Sequence, residues 1–305
     1  MSFQESVSVL NYVGSKERMA GVLCQMIPKN CTVYAAMFCG SAAVALNSRK
    51  FDLKILNDFN PNIANFWRVA TDPAFFQELL ETLQKTEYSR SDFDKAKARR
   101  EEHGSKRTDV VQWAVDTFIL NRQSFNGAGE CWVYRDESAY EKFLKNPLKL
   151  PLAFKSFKEQ EFRVHNQNAL DCMNQEHLLE NPETFLFLDP PYLEGLRSNA
   201  KLYAVDMPDM RDHIDLLKAI QNAESKIVLS GYWSGLDDGN DLYDYYLIPS
   251  GWHRHLLGEY SKGCERSDER SKGAEWVWTN YDLIKEAPGA VPLLACYCAD
   301  KRIRR

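Results

Sequence analysis

The residues best suited to chemistry stand together at Asp189-Pro190-Pro191-Tyr192. They follow the apolar run of residues 185–188, which predicts a buried strand that ends at a rigid turn. Both prolines fix φ and lack a backbone N–H, so the chain leaves the strand in one conformation. The pattern places a carboxylate and an aromatic ring at the carboxyl edge of a sheet, where open α/β folds bind ligands. A strand followed by a plain surface turn is the alternative.

Two segments upstream have the composition of a nucleotide-type site. Residues 32–38 predict a strand, and Gly40 in the small-residue turn after it lets a ligand approach the backbone. Residues 53–58 predict a second strand ending in Asp58, where βαβ nucleotide sites hold an acid for the ribose hydroxyls. A carboxylate that only caps the helix beginning near Pro61 is the alternative.

The segment Gly14-Ser15-Lys16 begins a predicted helix near the N-terminus. Helix N-termini expose backbone N–H groups, and the Lys16 ammonium adds a positive charge, so the segment suits an anion such as a carboxylate. The glycine-rich pattern of a phosphate loop is absent, and a plain helix start is the alternative.

The alternation of strands and helices stops between about residues 73 and 152. Residues 75–103 predict helix and carry a run of charges that includes Arg99 and Arg100. Such a run is typical of a solvated helix face, and it also suits contacts with phosphates. The sequence leaves both interpretations open.

A polar loop follows the apolar helix predicted at residues 110–120. The loop, residues 121–129, contains Arg122, Asn126 and two glycines, and it suits phosphate and base contacts. Aromatic rings beside a basic group follow closely and could stack on bases; these are Trp132, Tyr134 and Arg135.

The rest of the chain returns to α/β character. Apolar runs predict strands at residues 161–165, 226–233 and 275–281, with a helix at 210–223. The segment 258–273 is charged and almost without apolar residues, which is typical of a disordered or ligand-ordered loop.

Composition indicates a globular protein without membrane segments. The 305 residues carry a net charge of −5, with 44% hydrophobic and 27% charged residues. No apolar run approaches the roughly 20 residues of a membrane span, and the chain lacks a signal-peptide pattern, which favours the cytoplasm. Of eight cysteines, only Cys296 and Cys298 lie close together, so no metal site is expected. The acidic balance confines any nucleic-acid surface to a local basic patch.

Taken in order, these motifs resemble the Dam-like N6-adenine DNA methyltransferases over roughly residues 10–283. The resemblance implies an α/β fold: a Rossmann-like S-adenosylmethionine-dependent methyltransferase sheet with helices on both faces, plus a mainly helical target-recognition insertion. It implies a catalytic domain of residues 1–72 and 156–305 and a DNA-binding domain of residues 73–155. The implied reaction flips an adenine out of double-stranded DNA and transfers a methyl group from S-adenosylmethionine to its N6, without a metal.

The resemblance also implies roles for single residues. Asp189 and the Pro190 carbonyl would accept the hydrogens of the N6 amino group, and Tyr192 would stack on the flipped base. The implied cofactor contacts come from Tyr12, Lys16, Phe38, Gly40, Asp58, Asp171 and Asp189. The implied DNA contacts come from Arg99, Arg100, Arg122, Asn126 and Arg135.

The chain departs from the family pattern at several positions. Ala36 and Met37 stand where members often have an acid and a proline, and Asn168 stands where members often carry an acid, with Asp171 three residues on. Glu130 stands where members that read GATC have an arginine. Because an acid repels phosphate and pairs with cytosine rather than guanine, we expect a target other than GATC.

Two other functions stay open at this stage. One is a methyltransferase that acts on an amino group of RNA or protein, against which the DNA-like insertion argues. The other is a DNA-binding relative that has lost catalysis, against which Lys16, Asp58 and Asp189 argue. The resemblance also leaves open a cognate restriction endonuclease as a partner.

Overall fold

The computed structural model describes residues 7–12, 14–104, 106–134, 160–191, 210–232, 241–261 and 272–294. These residues fall into two compact units. Those up to residue 20 and those of 39–168 form the first unit, and those of 21–38 and from 169 onward form the second. The predicted division into a catalytic domain and a domain of residues 73–155 stays a prediction.

The described residues contain seven strands and ten α-helices. The strands are β1 (Val33–Ala36), β2 (Leu53–Asn57), β3 (Glu161–His165), β4 (Thr184–Leu188), β5 (Lys226–Tyr232), β6 (His253–Ser261) and β7 (Lys272–Thr279). The helices are α1 (Ala20–Gln25), α2 (Ala43–Asn47), α3 (Pro61–Thr71), α4 (Pro73–Lys85), α5 (Arg90–His103), α6 (Val110–Gln123), α7 (Ala169–Gln175), α8 (Met210–Ile220), α9 (Leu242–Leu247) and α10 (Leu283–Glu286).

The seven strands form one sheet in the order β3-β2-β1-β4-β5-β7-β6. Strands β2 and β3 pair in parallel, and so do β1, β4 and β5. Strand β7 runs antiparallel to both of its neighbours, β5 and β6. The order 3-2-1-4-5 is that of a doubly wound Rossmann-like sheet, which reverses direction beside β1 and binds ligands outside the carboxyl ends of its strands. The predicted fold class is confirmed.

In the first unit, side-chain caps fix where the helices begin. Four helices have an N-cap side chain that accepts a hydrogen bond from a backbone N–H of the first turn, which removes one unpaired donor from each; these caps are Asn60, Asp72, Ser89 and Asp109. A proline follows two of them at the first helical position, where its missing N–H costs nothing. The predicted helical stretch 75–103 is therefore two helices, α4 and α5.

The core of the first unit includes aromatic contacts between α3 and α6. The Phe66 and Phe118 rings stack with centroids 6.3 Å apart, and Trp67 meets Phe66 edge to face at 5.1 Å. A fully buried lysine also belongs to this core, because the Lys54 ammonium on β2 donates to the Ala45 carbonyl of α2 at 2.7 Å. A cation at the carboxyl end of a helix is favourable, and the bond attaches α2 to β2.

In the second unit, β4 is buried at all five positions, as its uninterrupted apolar run predicts. The Tyr34 and Phe185 rings join β1 and β4 at 5.8 Å. The expectation of a loop at residues 258–273 is wrong at both ends, because β6 continues to Ser261 and β7 begins at Lys272. β6 and β7 pair antiparallel and satisfy each other's backbone hydrogen bonds, so these strands form without the apolar run that a buried strand shows in its sequence. Residues 262–271 lie outside the described residues.

A buried carboxylate joins α5, α6 and the segment between them. Asp116 on α6 accepts two hydrogen bonds from Arg99, at 2.6 and 2.9 Å, one from Arg107 at 2.5 Å and one from Gln112 at 2.9 Å. Its side chain is 1% exposed and that of Arg107 is 5% exposed. Charges this deeply buried are tolerated because each is paired and hydrogen-bonded.

We expect Asp116→Ala to lower the free energy of unfolding by about 3 to 5 kcal/mol, because two guanidinium groups lose their buried partner. The control is Asp94→Ala, which removes the same side chain from the exposed Arg90–Asp94 pair on α5 and should cost no more than about 0.5 kcal/mol. Urea unfolding followed by circular dichroism measures both variants. Equal losses would show that the Asp116 cluster does not stabilise this region.

Candidate cofactor and catalytic site

The turn after β1 is built around Gly40. Its φ is +46°, and a Cβ added there would lie 3.0 Å from the Tyr12 ring, so a side chain would be both strained and obstructed. The Gly40 N–H donates to Asp58 Oδ2 at 2.8 Å, and its carbonyl accepts from Trp67 Nε1 at 2.8 Å. The predicted small-residue turn is therefore held on three sides, by an aromatic ring, a carboxylate and an indole.

Asp58 is a buried carboxylate, 7% exposed, that follows the last residue of β2. Oδ2 accepts the Gly40 N–H, and Oδ1 accepts the Asn60 N–H at 2.9 Å. Burial raises the Asp58 pKa to about 6, against the two backbone hydrogen bonds, which lower it. Burial, reinforced by Asp58, also raises the pKa of the neighbouring Cys39 thiol. The carboxylate keeps lone pairs for further hydrogen bonds, as contact with hydroxyl groups requires.

The segment before α1 meets the same turn. The Ser15 and Ser41 hydroxyls are 2.9 Å apart, and the Ser15 N–H donates to the Tyr12 carbonyl at 2.9 Å. Lys16 is 3% exposed, and its ammonium donates to the Gly14 carbonyl at 2.9 Å. The predicted cofactor residues Tyr12, Lys16, Gly40 and Asp58 thus belong to one connected part of the first unit.

Side-chain amides tie the end of β3 to the end of β2. Asn57 exchanges two hydrogen bonds with the backbone of Gln167, each 3.1 Å long, and Asn166 donates to the carbonyls of Asp58 and Phe59 at 2.8 and 3.0 Å. The Phe59 ring is 58% exposed directly after the buried acid. The sequence did not single it out, although an aromatic ring next to the predicted acid is a usable signal.

The predicted cofactor residue Asp171 and its neighbour Asn168, which departs from the family pattern, follow β3. Asn168 is exposed between β3 and α7, and Asp171 is exposed in the first turn of α7. Residues 166–171 do not continue β3, because α7 begins at Ala169. The carboxylate of Asp171 at that point also favours the helix N-terminus.

The strand β4 ends as predicted, directly before Asp189. The Asp189 side chain is half-buried and Pro190 is buried; Tyr192 lies outside the described residues. Phe38 is half-buried two residues after β1, the strand beside β4. The carboxyl ends of two neighbouring parallel strands thus carry Phe38 and Asp189.

A buried tyrosine and histidine were not predicted for this part of the second unit. Tyr243 on α9 is 6% exposed, and its hydroxyl lies 2.9 Å from Nδ1 of the buried His213 on α8. Burial raises the Tyr243 pKa, with smaller contributions from Asp241 and Asp189, so the phenol stays neutral. Only the folded chain brings Asp189, His213 and Tyr243 together, because more than 20 residues separate each of them from the next in the sequence.

The predicted DNA-binding loop begins inside α6. The Phe125 ring is 61% exposed in the short 3-10 turn Phe125–Gly127. The half-buried Arg122 donates through Nη1 to the side chain of Asn11. The backbone of Asn126 lies in the same turn, and Arg135 lies outside the described residues.

The two predicted arginines of α5 have partners within the protein. Arg99 belongs to the Asp116 cluster, and Asp116 raises its pKa. Arg100 contacts the exposed Glu130 carboxylate at 3.0 Å, and Lys97 contacts the same carboxylate at 3.4 Å. Glu130, the residue that departs from the family pattern, therefore occupies two cations of the basic run.

A sheet of this order defines a Rossmann-like protein, and a glycine turn beside a buried acid is the arrangement in which such sheets often bind nucleotide-type ligands. Within that class, the chain belongs to the D12 class N6 adenine-specific DNA methyltransferase family, whose model matches residues 12–254. The resemblance stated from the motifs is confirmed.

Two known proteins are similar to this chain, one in sequence and one in a solved structure. The modification methylase StsI of Streptococcus sanguinis is 28% identical over 194 residues, which cover 61% of this chain and 28% of that protein. The chain thus corresponds to little more than a quarter of the length of this relative. The structure of the rRNA methyltransferase aviRa from Streptomyces viridochromogenes aligns over 86% of this chain and 83% of that chain, with 11% identity and a TM-score of 0.37.

The described residues contain neither a group of metal ligands nor a membrane-spanning helix. No group of three or more His, Cys, Asp and Glu side chains among them could hold a metal ion. In the same part of the chain, no helix is both long and apolar enough to cross a bilayer.

We expect Asp58 to make the free energy of unfolding depend on pH. Its pKa of about 6 in the folded protein exceeds the unfolded value of 3.8, so its contribution is fully present below about pH 4 and is lost as the pH rises through 6. Relative to Asp58→Asn, the native protein should lose on the order of 3 kcal/mol between pH 4 and 7. Urea unfolding at each pH measures this difference.

The control for this prediction is Asp52→Asn, which makes the same change at an exposed position just before β2. Its stability should follow that of the native protein across the range. A native profile parallel to that of Asp58→Asn would show that burial does not raise the Asp58 pKa.

Proposed function

We propose that this protein transfers a methyl group from S-adenosylmethionine to N6 of an adenine in double-stranded DNA. The observation that carries the proposal is the Asp189-Pro190-Pro191 turn at the carboxyl end of the buried strand β4, in a chain of the adenine-specific family. The carboxyl end of a parallel strand beside the point of reversal is where a Rossmann-like sheet places its chemistry.

The residues of the first unit fit S-adenosylmethionine. Asp58 offers buried acceptor oxygens for ribose hydroxyls, and the Lys16 ammonium and the Ser15 hydroxyl suit the carboxylate of the methionine part. A side chain at Gly40 would press on the Tyr12 ring, so glycine keeps this turn in place against Asp58. Phe38 and Asp171 complete the proposed cofactor contacts, the first as an apolar surface and the second as an acceptor on the adenine side.

When bound, S-adenosylmethionine supplies an electrophilic methyl group. The protein must then make a poor nucleophile reactive, since the lone pair of an adenine amino group is delocalised into the ring. The Asp189 carboxylate and the Pro190 carbonyl would each accept one hydrogen of that amino group, which favours a tetrahedral nitrogen with a directed lone pair. The carboxylate also stabilises positive charge that develops on nitrogen.

The buried pair of Tyr243 and His213 supports this role of Asp189. The carboxylate of Asp189 contributes to the raised Tyr243 pKa, so a negative charge at Asp189 and a neutral phenol at Tyr243 favour each other. Pro190 itself is buried and its ring fixes φ next to Asp189. Tyr192 would hold the base after it has left the duplex.

We assign DNA binding to residues 73–155. The exposed Phe125 ring offers a stacking surface at the tip of the loop, with Arg122 and Asn126 in the same stretch. Arg135 and Arg100 would add phosphate contacts. Arg99 contributes positive potential from within the Asp116 cluster, because its guanidinium already has a bidentate partner.

The target would differ from GATC, since Glu130 brings an acid to the loop. The relative in Streptococcus sanguinis is named a modification methylase, and by analogy a cognate restriction endonuclease is a candidate partner of this protein. The alternative substrates, an amino group of RNA or of protein, have no described feature that favours them over DNA.

The decisive experiment incubates the native protein with S-adenosylmethionine labelled in its methyl group and with duplex DNA of varied sequence, RNA or protein. We expect label in DNA as N6-methyladenine, identified by mass spectrometry of the nucleosides. Asp189→Ala should lower the transfer rate by at least about 100-fold, because it removes an acceptor needed in the transition state. The control Asp215→Ala changes an exposed acid on α8 and should leave the rate unchanged.

Label in RNA or protein, or cofactor binding without N6-methyladenine in any DNA, would overturn the proposed function. A near-normal rate for a folded Asp189→Ala protein would overturn the role of Asp189 alone. The two results are separate, since the second concerns one residue of an active enzyme.

A second prediction concerns Glu130 and the cations it occupies. Glu130→Gln removes the charge that holds Lys97 and Arg100, so DNA affinity should rise by about 3-fold to 10-fold. The slope of log K against log salt should become more negative by about 0.9, the value expected for one additional phosphate contact. Fluorescence anisotropy with labelled duplex at several salt concentrations measures both effects. The control is Glu78→Gln, at an exposed position on α4. An equal rise in DNA affinity in this variant would show that the effect of Glu130→Gln comes only from the change in net charge.

A further inference from the structure

We propose that Asn121 and Gly127 are positioning residues for the cofactor segment, and that they couple the DNA-facing loop to the cofactor site. The inference rests on the proposed function and deepens it. It gives the loop a second role: besides facing DNA, the loop fixes the backbone that carries Tyr12 and Lys16.

The carboxamide of Asn121 binds both polar backbone atoms of Asn11. The Asn11 N–H donates to Asn121 Oδ1 at 2.7 Å, and Asn121 Nδ2 donates to the Asn11 carbonyl. Arg122 adds a bond from Nη1 to the side chain of Asn11. Asn121 is 5% exposed. A buried amide with both ends engaged holds the segment as a strand partner would, across 110 residues of sequence.

Gly127 contacts the same peptide from the loop. It has a φ of +74°, and an added Cβ would lie 2.3 Å from the Asn11 carbonyl oxygen. No side chain fits unless Asn11 moves. The Gly127 carbonyl also accepts from Asn121 Nδ2 at 3.4 Å, and the exposed Phe125 belongs to the same 3-10 turn. The part of the loop that faces solvent is thus two residues from the part that touches Asn11.

A short chain of contacts leads from Asn11 to the cofactor site. Tyr12 follows Asn11, and its ring lies 3.0 Å from the position that a Cβ of Gly40 would take, while the Gly40 N–H donates to Asp58. The Tyr12 carbonyl accepts from the Ser15 N–H, and Ser15 contacts Ser41. A shift of Asn11 therefore moves the ring against Gly40 and the segment that leads to Lys16.

Coupling of this kind acts in both directions. If DNA fixes the loop, the loop fixes Asn11 and cofactor binding becomes tighter; by linkage, the cofactor tightens DNA binding by the same factor. A purely structural hydrogen bond would change stability without changing the ratio of the two affinities. The test therefore measures cofactor affinity and local exchange separately from stability and from methyl transfer.

The first test is Gly127→Ala, whose new methyl group must displace the Asn11 carbonyl. Gly251→Ala is the matched control, because Gly251 also has a positive φ, of +86°, and nothing within 4 Å of an added Cβ. We expect S-adenosylmethionine affinity, measured by calorimetry without DNA, to fall at least about 10-fold in Gly127→Ala and to stay unchanged in Gly251→Ala. Hydrogen exchange of the peptide covering residues 10–16 should be faster in the first variant only.

The second test is Asn121→Asp, which keeps the acceptor for the Asn11 N–H and places a carboxylate against the Asn11 carbonyl. Burial beside a carbonyl oxygen disfavours the charged carboxylate. Protonation restores an O–H donor, so cofactor affinity relative to the native protein at the same pH should recover as the pH falls from 8 to 5. Thr117→Val removes the buried bond from Thr117 to the Trp113 carbonyl within the same helix. It should lower stability without any pH-dependent change in relative affinity.

Native-like affinity and exchange in Gly127→Ala, or a pH-independent loss in Asn121→Asp, would overturn the coupling. A native protein that binds no S-adenosylmethionine would overturn the proposed function instead. In that case the exchange of residues 10–16 still decides the positioning role, because it is measured without cofactor. Equal exchange in Gly127→Ala and Gly251→Ala would then reject it.

Discussion

The hydrogen bond between the Gly40 N–H and the Asp58 carboxylate is the contact on which the candidate cofactor region depends. It joins the turn before α2 to the end of β2, and it requires a backbone that only glycine adopts without strain. Trp67 holds the other side of the same peptide, so the α3 helix contributes to the turn as well. A buried carboxylate with two backbone donors remains an acceptor for hydroxyl groups, and its raised pKa records the free energy that burial costs.

The sequence was sufficient for elements whose signal is local. Strand β4 was predicted because residues 185–188 form an uninterrupted apolar run, and its end before Asp189 because two prolines cannot continue a central strand. Strand β6 was missed because it is an edge strand that begins with the polar residues His253, Arg254 and His255 and has no long apolar run. Its partner β7 supplies the pairing, which no local pattern records.

The positions of the candidate site residues in the fold were predictable where a motif is contiguous, and the contacts between distant residues were not. Gly40, Asp58 and Asp189 each stand at a strand end, so topology alone places them. The contacts from Asn121 to Asn11 and from His213 to Tyr243 depend on the folded chain, since 110 and 30 residues separate the partners. The partner of Arg99 was not predictable for the same reason. A basic run predicts a surface that attracts phosphate, but the acid that neutralises it, Asp116, lies on another helix.

These charges bear on how an acidic protein could bind DNA selectively. With a net charge of −5, the protein has no overall attraction for a polyanion, so affinity would have to come from local groups of cations. Glu130, directly after the predicted DNA-binding loop, holds Lys97 and Arg100. Non-specific binding would thereby be weakened at the place proposed for base contacts. A target that offers Glu130 a donor, such as a cytosine amino group, would release both cations toward phosphate at the same moment. Selectivity and electrostatic affinity would then depend on one carboxylate.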